Sequence, residues 1–186
     1  TFNSCMKHIV QNGDPVLRAI AKEILVKDIR TPKIQKVLKE MSTALATQND
    51  GVAIAAPQIG YALRIFVVAG KVFDTGFIRG KKTKDSVKAT TLPDVVFINP
   101  VITKLSKKKE WKQEGCLSVR PLWGEVERSL NATVVAYDEK GKKFERGAGG
   151  LLAHIFQHET DHLDGILFID KAKNVKASSS SEELAE

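Results

Sequence analysis

The 186-residue chain has few cysteines, few histidines and few aromatic side chains. Its two cysteines, Cys5 and Cys116, cannot make a disulfide framework, which excludes a small bridged secreted scaffold and makes a reducing compartment the simpler expectation. No apolar run approaches the ~20 residues of a membrane span, and the first residues carry no secretory apolar region, so no membrane partner is expected. Aromatic residues are 6% of the chain, and none is interleaved with the basic stretches Lys81 to Lys84 or Lys107 to Lys109. Without bases to stack on such side chains, and without a zinc-knuckle or RNA-recognition signature, sequence-specific nucleic-acid binding is excluded.

What the chain does contain is an ordinary globular mixture, 42% hydrophobic and 27% charged, which excludes wholesale disorder, collagen and coiled coil. Its length favours one domain, and a domain of this size buries roughly 70% of its unfolded surface without needing a metal to fold. The 29 basic residues outnumber the 22 acidic ones for a net charge of +7, read as solvated loops with weak attraction to polyanions such as ribosomal RNA.

Asp14-Pro15 pairs an N-cap residue with a proline at the first helical position and predicts a helix burying Val16, Leu17 and Ile20. Thr31-Pro32 repeats the signal, and Ile34, Val37, Leu38, Met41 and Leu45 recur at helical spacing as far as Asn49-Asp50-Gly51. Strands are expected over 64–69, 95–98 and 101–105, with a long exposed excursion over 70–93. Two further strands, 131–137 and 142–146, flank the hairpin signal Asp138 to Gly141. Residues 147–163 read as the last helix, with Leu151, Leu152, Ile155 and Phe156 on one stripe and Asp164-Gly165 as its stop. The polar residues 171–186 are expected to be a tail, disordered or loosely helical, after a single unit spanning 1–170. Several strands and one late core helix indicate an α+β fold.

That helix carries His158-Glu159-Thr160-Asp161-His162. Histidines at i and i+4 lie one above the other on a helix face, so two imidazoles can converge on one metal ion, with Glu159 placed to act as a general base. A catalytic site of this kind needs a third protein ligand. Position 168, where a metzincin has histidine, is Phe168, and a downstream glutamate is offered only by Glu182 and Glu183. His154 is a further turn upstream, too far along the axis for all three rings to share an ion readily, and suits a pocket wall better. Cys116, within Glu114-Gly115-Cys116-Leu117-Ser118, remains, although a lone cysteine is more often a small buried apolar residue. A third segment, 51–60, places small residues and the uncharged amide of Gln58 after a helix stop, where a wall could approach a peptide closely.

The segments GVAIAAPQ (51–58), EGCLS (114–118) and HETDH (158–162) together resemble the motifs of peptide deformylase in the family's order, and the similarity runs from GDPVLR at 13–18 to DHLDGILFID at 161–170. Ala53 stands where the family has glycine, and Arg120 stands where many relatives have proline.

The resemblance implies mixed or antiparallel sheets wrapped around a central metal-binding helix. It implies Cys116, His158 and His162 as ligands of one divalent ion, natively Fe²⁺, with Zn²⁺ or Ni²⁺ as alternatives. The implied reaction removes the N-formyl group from the initiator methionine of nascent peptides: metal-bound hydroxide attacks the formyl carbon, Glu159 is base and then acid, and Gln58 and the Leu117 N–H stabilise the oxyanion. Gly51, Val52, Ala53, Gly115, Leu151, His154 and Ile155 would bind substrate, with Val52, Leu151, His154 and Ile155 around the methionine side chain. Nascent peptides as substrate imply work near the ribosome exit tunnel, in the bacterial cytoplasm or, as the alternative, an organelle matrix. The competing readings are an HExxH metallopeptidase and a non-catalytic ribosome-associated protein with the same fold. Finally, Asp161 needs a cationic partner if buried, and Arg128, which has a counterpart in the family, is expected to supply it.

Overall fold

Thr31-Pro32 does start a helix in the computed structural model, which describes residues 7–74 and 92–177. This helix, α1 (Pro32–Ala46), buries Ile34, Val37, Leu38, Met41, Ala44 and Leu45, so Met41 is core as its place in the apolar stripe implies.

Beside α1 runs a five-stranded sheet, formed in spatial order by β1 (Ala53–Ala55), β2 (Ile65–Val68), β3 (Val95–Leu105), β6 (Asn131–Tyr137) and β7 (Lys143–Gly149). A second sheet joins β4 (Lys109–Gly115), β5 (Leu122–Ser129) and β8 (Lys173–Ala177). Every strand pairing in both sheets is antiparallel.

Every residue of β2 is buried because its two faces serve two cores. Ile65 and Val67 pack with the α1 stripe, while Phe66 and Val68 pack with α2 (Gly150–Leu163). On the α2 side Phe66 stacks on Phe97 at 4.6 Å, and Phe156 of α2 meets Phe97 edge-on at 5.2 Å. The same helix touches strands of both sheets, so it carries His158 and His162 to the boundary between them.

Several expectations need correction. The Asp14-Pro15 signal yields a single 3-10 turn, Pro15–Arg18, capped by the Asp14 side chain on the Val16 N–H. Leu17 is buried there, but Ile20 is 74% exposed, because the chain extends at Ala19 to hydrogen-bond Leu163 and Ala62 through Ala21 and Lys22. The strands expected over 95–98 and 101–105 are one strand, β3, with a register shift between Ile98 and Val101. Asn99 takes a positive φ of 49° in that irregularity and clamps the Ile24 backbone with both ends of its side-chain amide.

Gly147 to Gly149 extend β7 instead of opening the helix, so α2 begins at Gly150. Residues 173–177, expected to be disordered or loosely helical, add a strand to β5. Gly124 permits this close approach, since a side chain there would collide with Ala172, and Lys173 covers the Trp111 ring at 4.3 Å. Most of the expected excursion, 75–91, lies outside the described residues, as do Cys5, Lys81 to Lys84 and 178–186. No helix among the described residues is long and apolar enough to cross a membrane.

Candidate metal centre

Cys116 leaves β4 immediately after Gly115 and turns its sulfur toward α2. Its Sγ lies 3.1 Å from His162 Nε2, and one ligand atom each from Cys116, His158 and His162 falls within 4.8 Å of the others. His162 and Cys116 are buried, and His158 is partly so. One thiolate and two imidazoles make a donor set suited to iron or zinc, with a coordination position left for water or substrate.

The rest of the site holds these groups in place. The Glu114 carboxylate is buried, accepts His158 Nδ1–H at 2.8 Å, and so leaves Nε2 of His158 for a metal. The same carboxylate meets His154 Nε2 and accepts from Arg128 through Nε (2.7 Å) and Nη2 (3.1 Å). Arg128 also donates through Nη1 to Asp161 Oδ2 at 2.6 Å, the partnership expected from the sequence. Gly115 must be glycine for a reason of space: an added Cβ would lie 2.7 Å from the Trp123 ring.

Gln58 sits in the 3-10 turn Ala56–Ile59, which Pro57 helps to start. Its Oε1 accepts from the Ala55 N–H at 2.8 Å, which fixes the amide so that Nε2 points at Ser118 Oγ (3.2 Å) and Cys116 Sγ (3.5 Å). Glu159 is buried, and its Oε2 is among the few enclosed side-chain atoms of the described residues without a hydrogen-bond partner. A carboxylate oxygen enclosed beside three metal-ligand atoms fits a site that takes a cation and water.

The charges follow from this packing. Burial pushes Glu114 up, but the hydrogen bonds from His154, His158 and Arg128 outweigh it and hold its carboxyl well below the usual range. Burial raises Glu159 to about 7, against the pull of His158, so without a cation beside it this group is about half protonated near neutrality. Burial and the neighbouring His158 depress His162 and favour the neutral imidazole that ligates metals.

Beside these groups is a cleft whose first wall is Asp50, Gly51, Val52 and Ala53, with Gln58 deeper in. Glu114, Gly115 and Leu117 form the second wall, and Leu151, His154, Ile155, His158 and Glu159 of α2 form the floor. All the residues anticipated for substrate binding therefore line one space. His154 stands in that lining and is not part of the three-residue ligand cluster.

Sequence reasoning missed Asp50 as a cleft residue and missed the part played by Glu114. The one signal for Glu114 is alternation: residues 114 and 116 of an extended segment face the same side.

A family model described as polypeptide deformylase matches residues 6–178. A peptide deformylase of Desulforudis audaxviator is 40% identical over 167 residues, covering 90% of this chain and 94% of that protein. The chloroplastic/mitochondrial peptide deformylase 1A of Arabidopsis thaliana is also 40% identical, over 89% of this chain, which spans 61% of that longer protein. Among solved structures, the Met-Ala-Ser-bound peptide deformylase of Acinetobacter baumannii superposes with a TM-score of 0.73 at 30% identity, covering 88% of this chain and 96% of that one.

Proposed function

The chain belongs to the polypeptide deformylase family, and on that premise we propose how its residues divide the work of a metal-dependent hydrolase that removes the N-formyl group from formylmethionyl peptides. The convergence of Cys116, His158 and His162 beside the enclosed carboxylate of Glu159 is the observation that carries this reading.

Cys116, His158 and His162 would hold one divalent ion, Fe²⁺ natively with Zn²⁺ or Ni²⁺ as substitutes, which supplies Lewis acidity to water and to the formyl oxygen. Glu159 takes the proton of the attacking water and passes it to the leaving amine, so that a C–O bond forms, the C–N bond breaks, and formate and a free α-amine result. Gln58 Nε2, oriented by the hydrogen bond from the Ala55 N–H to Oε1 of the same amide, and the Leu117 backbone N–H donate to the developing oxyanion, each such donor being worth about 2.7–4 kcal/mol. Glu114 is a positioning residue that orients His158. Val52, Leu151, His154 and Ile155 receive the methionine side chain, while Gly51, Ala53 and Gly115 let the peptide backbone lie close. We read residues 1–170 as the catalytic unit, with α2 as the helix around which its sheets are organised. The bacterial and organellar relatives are compatible with a bacterial cytoplasm or an organelle matrix, and the action we propose there is on nascent chains near the ribosome exit tunnel.

The test is formate release from formyl-Met-Ala-Ser by anaerobically prepared protein, alongside metal analysis and mass spectrometry of the peptide. The expected product is intact Met-Ala-Ser. A shortened peptide without formate would point to a metallopeptidase, a reading that no observation of the site favours.

A further inference from the structure

Asp50 and Arg120 meet at the mouth of the cleft, where Arg120 Nη2 donates to Asp50 Oδ1 over 2.6 Å. Asp50 directly precedes Gly51 and itself lines the cleft. Arg120 stands three residues beyond Leu117 of the facing wall, at the end of the turn that follows Cys116. The pair thus joins the two segments between which a peptide must leave the site.

Both side chains are about half exposed, at 53% for Asp50 and 49% for Arg120. An ion pair so open to water is screened and stabilises the fold little. Its chemistry suits recognition better. A guanidinium presents five N–H donors in a planar fork, and Asp50 Oδ1 takes one of them, which leaves donors for a second carboxylate. The Asp50 carboxylate is at the same time partly neutralised and offers less to a substrate cation.

We propose that Arg120, held in place by Asp50, is a specificity-determining residue that reads the substrate beyond its formylmethionine and favours an acidic side chain there. This rests on the deformylase reading of the site. A glutamate at the second or third residue of the peptide gains an ion-paired hydrogen bond to Arg120, a glutamine gains a hydrogen bond without the attraction of opposite charges, and a lysine meets a like charge.

Formate release measured on amidated tripeptides decides the matter, because the amide removes the terminal carboxylate as a competing anion. The series is formyl-Met-Ala-X-amide and formyl-Met-X-Ala-amide with X as Glu, Gln or Lys. At one of the two positions the expected order of kcat/KM is Glu over Gln over Lys, with steps of about two- to five-fold, as for exposed ion pairs. The steps shrink as salt is raised. In Arg120→Gln the preference for Glu disappears, and in the charge-swapped double variant Asp50→Lys with Arg120→Glu, which can keep the tie between the walls, it inverts in favour of Lys. Equal kcat/KM for the three peptides at both positions, or the wild-type order persisting in Arg120→Gln, overturns the assignment while leaving the deformylase reading intact. Formate from none of the peptides overturns both.

Discussion

Arg128 and Asp161 face each other across 2.6 Å, one on the strand β5 and the other on the helix α2 between His158 and His162. The same guanidinium grips Glu114 on β4 with its remaining donors, and Glu114 in turn holds His158. A single buried cation thus fastens the cysteine-bearing sheet to the histidine-bearing helix.

Removing that cation should be costly, because Glu114 and Asp161 are left without it. Arg128→Met is expected to lose about 3–5 kcal/mol of stability, the range for breaking a buried pair. Asp161→Asn should lose less, since Arg128 keeps the Glu114 carboxylate as its buried partner and the released Lys171 is open to water. A double-mutant cycle read by urea unfolding should show a coupling of about 0.5–3 kcal/mol, and strictly additive losses would show that the two residues act independently.

Glu159→Gln keeps the shape of the side chain and removes its basicity. The variant should retain its metal and lose roughly 10²–10⁴ in kcat for formate release, the span of general acid–base catalysis. Metal content by atomic emission and turnover on formyl-Met-Ala-Ser check the two halves separately. Full activity in this variant would remove Glu159 from the reaction.

Glu114→Gln replaces a carboxylate that accepts from Arg128, His154 and His158 with an amide that can serve fewer donors. His158 loses its fixed orientation, so metal affinity should fall about 10–100-fold, as for other outer partners of a ligating histidine. Competition with a chromophoric chelator measures this without relying on activity. Unchanged affinity would mean that His158 is oriented by the helix alone.

Asp170 supplies a pH dependence away from the metal. Its hydrogen bond from Arg18, reinforced by the Leu167 N–H and opposed by burial, lowers its pKa in the folded chain. A carboxylate depressed by folding contributes stability above its unfolded value, about 3.9, and that contribution is lost as pH falls through the folded value. Asp170→Asn should therefore be less stable than the parent at pH 6, with the gap closing below about pH 4. Urea midpoints for both proteins across that window test it, and a gap that widens on acidification would reverse the assignment.

The sequence alone determined the features that local chemistry controls. Pro32 at the first helical position and the apolar stripe from Ile34 to Leu45 specify α1, because a fixed proline φ and 3.6-residue periodicity are properties of neighbouring residues. The hairpin around Asp138 to Gly141 follows from its turn residues. His158 and His162 share a face through helix geometry, and the resemblance of three short motifs singled out Cys116 and Gln58, which the structure brings beside them.

The tertiary structure decided what depends on partners far along the chain. Residues 173–177 are too polar to predict themselves as a strand, yet the free edge of β5 and the missing side chain of Gly124 accept them. Ile20 is exposed because backbone bonds to Leu163 and Ala62 pull the chain straight after one short turn. Glu114 reads as an ordinary charged strand residue until Arg128, His154 and His158 converge on it. Asp50 and Arg120 are 70 residues apart and meet only at the mouth of the cleft. In each case the deciding free energy is that of burying or pairing a group against a distant partner, which a local pattern does not encode.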